Sequence, residues 1–177
     1  MTERQPKAVR IIVGVLLMAS FVLISIALVV RYAGAWGVPY FSFTTDRGSR
    51  CTNNFTGYTC SPVTLADIEF YGEVDLPADT KVINSLYRST HDFALDASLQ
   101  VPKRSAAAAL KGLTTAYGSC RGGRPSPLPT AGVTGACVFT NDDAVTGASQ
   151  VSSQLFLVGT GVRKDGVRLV SLSVKSR

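Results

Sequence analysis

The chain has 177 residues, 46% of them hydrophobic, with a formal charge of +6, one histidine and four cysteines. That length suits one ordinary domain, and the charge does not mark a nucleic-acid binder. Arg4, Lys7, Arg10 and Arg31 against Glu3 supply half of it, and the rest is scattered from Tyr32 onward without a basic run.

Residues 1–10 form a short basic tail, read as cytoplasmic. Residues 11–30, IIVGVLLMASFVLISIALVV, contain no charge and no proline. As a helix rising about 1.5 Å per residue they match a bilayer core of about 30 Å. Fourteen of them are Leu, Ile, Val or Phe, which at about −0.3 to −0.6 kcal/mol each gives an insertion preference on the order of −6 kcal/mol. No two small residues stand four apart, so a GxxxG-type dimer seam is absent. Arg4, Lys7 and Arg10 predict a cytoplasmic N-terminus, although Arg31, Arg47 and Arg50 beyond the span narrow the charge difference. A rival reading is a cleaved signal peptide, because Ala33-Gly34-Ala35 has the small-x-small form of a processing site after Ala35. The long apolar run followed by Arg31 and Tyr32 favours a retained signal anchor.

Residues 31–50 are read as a juxtamembrane segment, in which Tyr32, Trp36, Tyr40, Phe41 and Phe43 alternate with small residues. Two expectations stand side by side: the aromatics lie among the outer headgroups, or Tyr40, Phe41 and Phe43 open the first strand. Residues 51–177 form the extracytoplasmic domain. All four cysteines, Cys51, Cys60, Cys120 and Cys137, lie beyond the span, and their even number predicts two disulfides in an oxidising compartment. Three pairings are open, and Cys51 with Cys60 and Cys120 with Cys137 closes the shortest loops. Their spacing lacks the tight pairs of zinc sites and contains no Cys-x-x-Cys redox motif, so neither metal nor cofactor is expected.

Along the domain, residues 64–71 (TLADIEFY) read as a short β-like run. KVINSLYRS, residues 81–89, is rich in β-formers, and Phe93, Leu95, Ala97, Leu99 and Val101 alternate with Ala94, Asp96, Ser98 and Gln100 as in a half-buried strand. Ser105 is placed to cap a helix over residues 106–117, which Gly118 stops. Residues 121–136 read as a long Gly/Pro/Ser surface loop. Two β-branched runs, residues 150–162 and 167–174, flank a turn with the hairpin signature Asp165-Gly166. Together these predict an α+β fold: a transmembrane helix, then an antiparallel sheet with one packed helix and a C-terminal β-hairpin. Residues 76–102, with Leu76-Pro77, Tyr87 and Asp92-Phe93, followed by the Ala-rich helix, resemble small uncharacterised actinobacterial membrane proteins and lipoproteins. That resemblance carries no functional residues.

Each candidate site has a plainer alternative. His91 beside Asp92 has the composition of a general-base dyad for a membrane-tethered hydrolase, yet it also suits an exposed turn, and no Gly-x-Ser-x-Gly elbow accompanies it. Asp67, Glu69, Glu73 and Asp75, and separately Asn141-Asp142-Asp143, are acidic clusters without a calcium-loop pattern, read as solvated strand edges and a turn. Asn54-Phe55-Thr56 matches a glycosylation sequon. Arg121 and Arg124 open the Gly/Pro loop and form a possible interaction site for an anionic group. Leu95, Leu99 and Leu110 would line a lipid or small-ligand cavity, or simply build the core. The reading that joins these features is a non-enzymatic envelope module whose partners are the lipid bilayer and an envelope protein or component.

Overall fold

The computed structural model describes residues 7–128, 132–141 and 154–176. Helix α1, Lys7–Tyr32, is 26 residues long, apolar enough to cross a membrane, and buries none of its residues in the protein. A helix apolar on every face with no protein against it is consistent with a membrane span. Its end is a Schellman turn: Val38 N–H donates to Ala33 O (3.0 Å), Gly37 N–H donates to Gly34 O (3.1 Å), and Gly37 sits at φ 77°. Glycine suits that left-handed position, and Pro39 follows it closely.

The strands β1 (Ser42–Thr44), β2 (Arg50–Asn53), β3 (Tyr58–Cys60), β4 (Lys81–Ser89), β5 (Phe93–Val101), β6 (Val133–Thr140), β7 (Gln154–Arg163) and β8 (Arg168–Ser176) form one antiparallel sheet of eight strands. Its order, β1-β2-β3-β4-β5-β8-β7-β6, joins a five-strand meander to a three-strand one through a crossover. The crossover carries α3, Ala106–Tyr117, and a shorter helix α2, Leu65–Gly72, lies between β3 and β4. The fold is α+β, as the alternation in β5, the Ala-rich helix and the Asp165-Gly166 hairpin predict. In that hairpin Gly166 takes φ 84°.

One face of the sheet makes the core. Leu95, Leu99, Val101, Val158, Val170, Leu172, Val174 and Phe139 are buried there against Ile68 of α2 and Ala109 and Leu113 of α3. The register explains the segregation: Leu95 pairs with Val174, Ala97 with Leu172 and Leu99 with Val170, so apolar residues coincide on one side, while Asp96 with Ser173 and Ser98 with Ser171 fall on the other.

Three local expectations are corrected. Residues 64–71 are not a strand: Thr64 is extended and its Oγ1 accepts from Asp67 N–H, an N-terminal cap that starts α2. The side chains turned inward, Leu65, Ile68 and Tyr71, recur every third residue, which is helical spacing. Ser105 does not cap α3 with its side chain; it closes a 3₁₀ turn, Lys103–Ser105, and its Oγ donates to Asp79 Oδ2 (2.8 Å). The surface loop after Cys120 gives way to β6 at Val133.

Candidate functional site

The two disulfides anchor different parts of the sheet. Cys51 and Cys60 face each other across β2 and β3 with Cα atoms 4.0 Å apart and are fully buried. Cys120, just past α3, is bonded to Cys137 of β6. Next to it, Arg121 and Val138 exchange backbone hydrogen bonds at 2.9 Å, so the chain leaving α3 is tied to β6 by both a covalent and a polar link.

Arg121 and Arg124 are exposed, but the loop they open is not a free linker. Leu128 is buried, and Ser126 and Pro127 lie so close to Gly159 of β7 that a Cβ there would sit 2.9 Å from both. The loop crosses to the sheet face opposite the helices. There Pro127 joins Asn84, Leu86, Asp96, Ser98, Leu157, Ser171 and Ser173 around a trough of about 380 Å³. Asp96 accepts from Ser173 Oγ at 2.7 Å. The surface mixes three serine hydroxyls, the Asn84 amide and the Asp96 carboxylate with the apolar side chains of Leu86, Leu157 and Pro127. Its Ser–Asp pair has no imidazole beside it in the trough lining, so it is not a nucleophile–base arrangement. A second groove, about 540 Å³, runs along α3 between Lys111, Gly112, Thr115 and the segment Glu73, Asp75, Leu76 and Pro77.

The remaining candidates are dispersed. His91 and Asp92 are both exposed in the β4–β5 turn, where Thr90 N–H donates to Asp92 O (2.9 Å), and neither lines the trough or the groove. A general base needs an oriented partner in a sheltered cleft, and this turn supplies none for His91. Leu95 and Leu99 are 0% and 2% exposed and belong to the packed core, with Leu110 half-buried against it, so these leucines do not outline a ligand cavity.

Of the acidic residues around α2, Asp67 and Glu69 are structural in their contacts, whereas Glu73 and Asp75 are exposed at its end, a helix terminus and not a strand edge. Asp67 is fully buried and accepts from Thr45 Oγ1 (2.6 Å) and Thr64 Oγ1 (3.3 Å), and Glu69 Oε1 accepts from Leu76 N–H (2.9 Å). Asn141 bonds the backbone of Gln154 and Phe156, while Asp142 and Asp143 lie outside the described residues. Among the described residues no three His, Cys, Asp or Glu side chains converge as a metal ion would need.

A chain of aromatic rings, not anticipated from the sequence, runs across the helix-covered face near β1–β4. Phe43 meets Tyr58 edge-on (5.2 Å), Tyr58 meets Tyr87 (5.8 Å), and Tyr71 of α2 stacks on Tyr87 (4.0 Å). Burial first, then the neighbouring phenol of Tyr58, pushes Tyr87 up to about 12 and Tyr71 higher still. Phe43 therefore belongs to the first strand and the core, whereas Trp36 and Tyr40 are 63% and 74% exposed at the end of α1.

That end of α1 is built into the domain. Ala33 is 1% exposed, Asn53 Nδ2 donates to Gly34 O (2.6 Å), and a Cβ on Gly34 would sit 2.0 Å from the Ser42 carbonyl oxygen. Tyr40 N–H then donates to Asn53 O (2.8 Å), so Asn53 holds both the helix end and the first strand. A sequence signal existed in Gly37-Val38-Pro39, the helix-stop pattern; Asn53 itself carries no such mark. No protein-family model, curated protein or solved structure matches the chain.

Proposed function

We propose that the protein is a single-pass, membrane-anchored module of the cell envelope whose domain stands on the extracytoplasmic side and acts by binding another protein or an envelope component. The observation that carries this reading is the division of labour between the two faces of the sheet. Both helices pack on one face, and the other is left with an open trough of mixed character, serine hydroxyls and Asp96 beside Leu86, Leu157 and Pro127, bordered by the Arg121–Arg124 loop. Catalysis would require a sheltered nucleophile or base, and the exposed His91–Asp92 turn is a poor place for one. The direction across the membrane rests on Arg4, Lys7 and Arg10 ahead of α1 and on two disulfides beyond it, which persist in oxidising compartments. The resemblance of residues 76–102 to actinobacterial membrane proteins agrees with a bacterial envelope. Retention of the anchor is favoured because Ala33 and Gly34 are packed against the domain rather than extended for a protease.

The test is cross-linking of the full chain in its native membrane, followed by mass spectrometry. A specific partner linked through the loop or the open sheet face is expected. Linking only to lipid and abundant neighbours, under conditions that capture known membrane complexes, would remove the binding role.

A further inference from the structure

Resting on the reading of α1 as a membrane span, we infer that the β2–β3 hairpin tip is a second membrane contact, with Phe55 seated among the lipid headgroups beside Tyr40 and Trp36. Phe55 is 78% exposed and Tyr40 74% exposed, yet the two rings meet edge-on with centroids 5.4 Å apart. Tyr32, the last residue of α1, and Trp36 of the turn that follows stack at 6.0 Å. Scattered exposed apolar residues need no explanation; two exposed aromatic pairs at and just after the exit of an apolar helix do. Amphipathic rings are favoured at the boundary between hydrocarbon and water.

The position of Phe55 follows from the bonds that hold α1 to the domain. Asn53, two residues before Phe55, donates its side chain to Gly34 O and accepts the Tyr40 amide, so the hairpin tip cannot lie far from the helix exit. The tip is also preformed. Asn54 Oδ1 accepts from Thr56 N–H (3.0 Å), Asn54 N–H donates to Gly57 O (2.8 Å), and Gly57 lies against the Ser89 carbonyl, where a Cβ would sit 1.8 Å away. A loop already ordered loses little freedom on docking. Tyr40 adopts φ 67°, a conformation that side-chain-bearing residues avoid, and its ring meets Phe55. The occupant is the bilayer that holds α1, because the patch is continuous with the span. The consequence is a fixed stance: two points of contact stop the domain from swivelling about α1.

Depth-dependent fluorescence quenching of the full-length chain in phosphatidylcholine vesicles tests this. Trp36 is the sole tryptophan, so the double variant Trp36→Phe/Phe55→Trp reports on the tip alone, and Trp36→Phe/Phe21→Trp reports on the middle of α1. In unbrominated vesicles the Phe55→Trp emission is expected to lie to the blue and to resist iodide in the water, and with bromines on the lipid chains near the headgroup it is expected to be quenched. Strong iodide quenching without bromine quenching at position 55, while position 21 is quenched by deep bromines, overturns the hairpin contact and leaves the span intact. Failure of position 21 to be quenched by any bromolipid overturns the span and the contact together.

Discussion

At the scale of single residues, the informative positions are polar groups that bind backbone. Thr64 caps α2 through its hydroxyl while also touching buried Asp67, so Thr64→Ala should lower unfolding stability by about 1 kcal/mol, read from the urea midpoint. The Thr64-x-x-Asp67 pattern was legible as a helix start, and the β-like look of Leu65, Ile68 and Phe70 misled because Phe70 is exposed and only the other two face inward. The buried phenols give a pH signature with a definite sign. An unfolded tyrosine ionises near about 10, whereas Tyr87 is held at about 12 and Tyr71 above it, chiefly by burial. The native state therefore keeps these protons longer. Stability from this cluster is complete below pH about 10 and declines as pH rises from there through the folded value. Ultraviolet titration of phenolate at rising pH should show a late class of tyrosines, and Tyr87→Phe should remove part of it. A late class that Tyr87→Phe leaves undiminished, or no late class in the parent chain, would refute the assignment.

At the scale of elements, α3 is fixed by Leu113 and Ala109, both 0% exposed against the sheet. Leu113→Ala should cost about 2–5 kcal/mol, whereas Ala107, exposed on the same helix, should tolerate serine with little change in thermal midpoint. Breaking Cys120–Cys137 with the double alanine variant should lower stability by roughly 3 kcal/mol on the chain-entropy account and loosen hydrogen-exchange protection in β6 before β5. The long elements were readable because their patterns repeat: β5 alternates over nine residues, and the Asp165-Gly166 turn separates two apolar runs. The strands β1, β2 and β3 have three or four residues each, too few to display a period. β6 was hidden by Gly135 and by a register shift between Thr134 and Cys137, which interrupts its alternation. The open sheet face was equally illegible, since which side of a strand stays uncovered depends on where α2 and α3 settle.

At the scale of the whole molecule, the end of α1 is packed onto the domain. The packing of Ala33 and Gly34 against β1 and Asn53 makes the helix exit part of the folded structure. Asn53→Ala removes the bond to Gly34 O, so proteolysis in membranes should cut after Trp36 sooner than in the parent chain. Thiol labelling of intact cells should leave all four cysteines unreacted until a reductant is added; ready labelling without one would contradict an oxidising compartment. The place where Gly34 meets the Ser42 carbonyl has a further consequence. Ser42 lies on β1, the outermost strand of the sheet, and outermost strands present unpaired backbone groups to any passing chain. The helix exit shields that strand. A soluble fragment cut after Trp36, which lacks Gly34, would uncover it, and such a fragment should aggregate through strand pairing at concentrations where the intact protein stays dispersed.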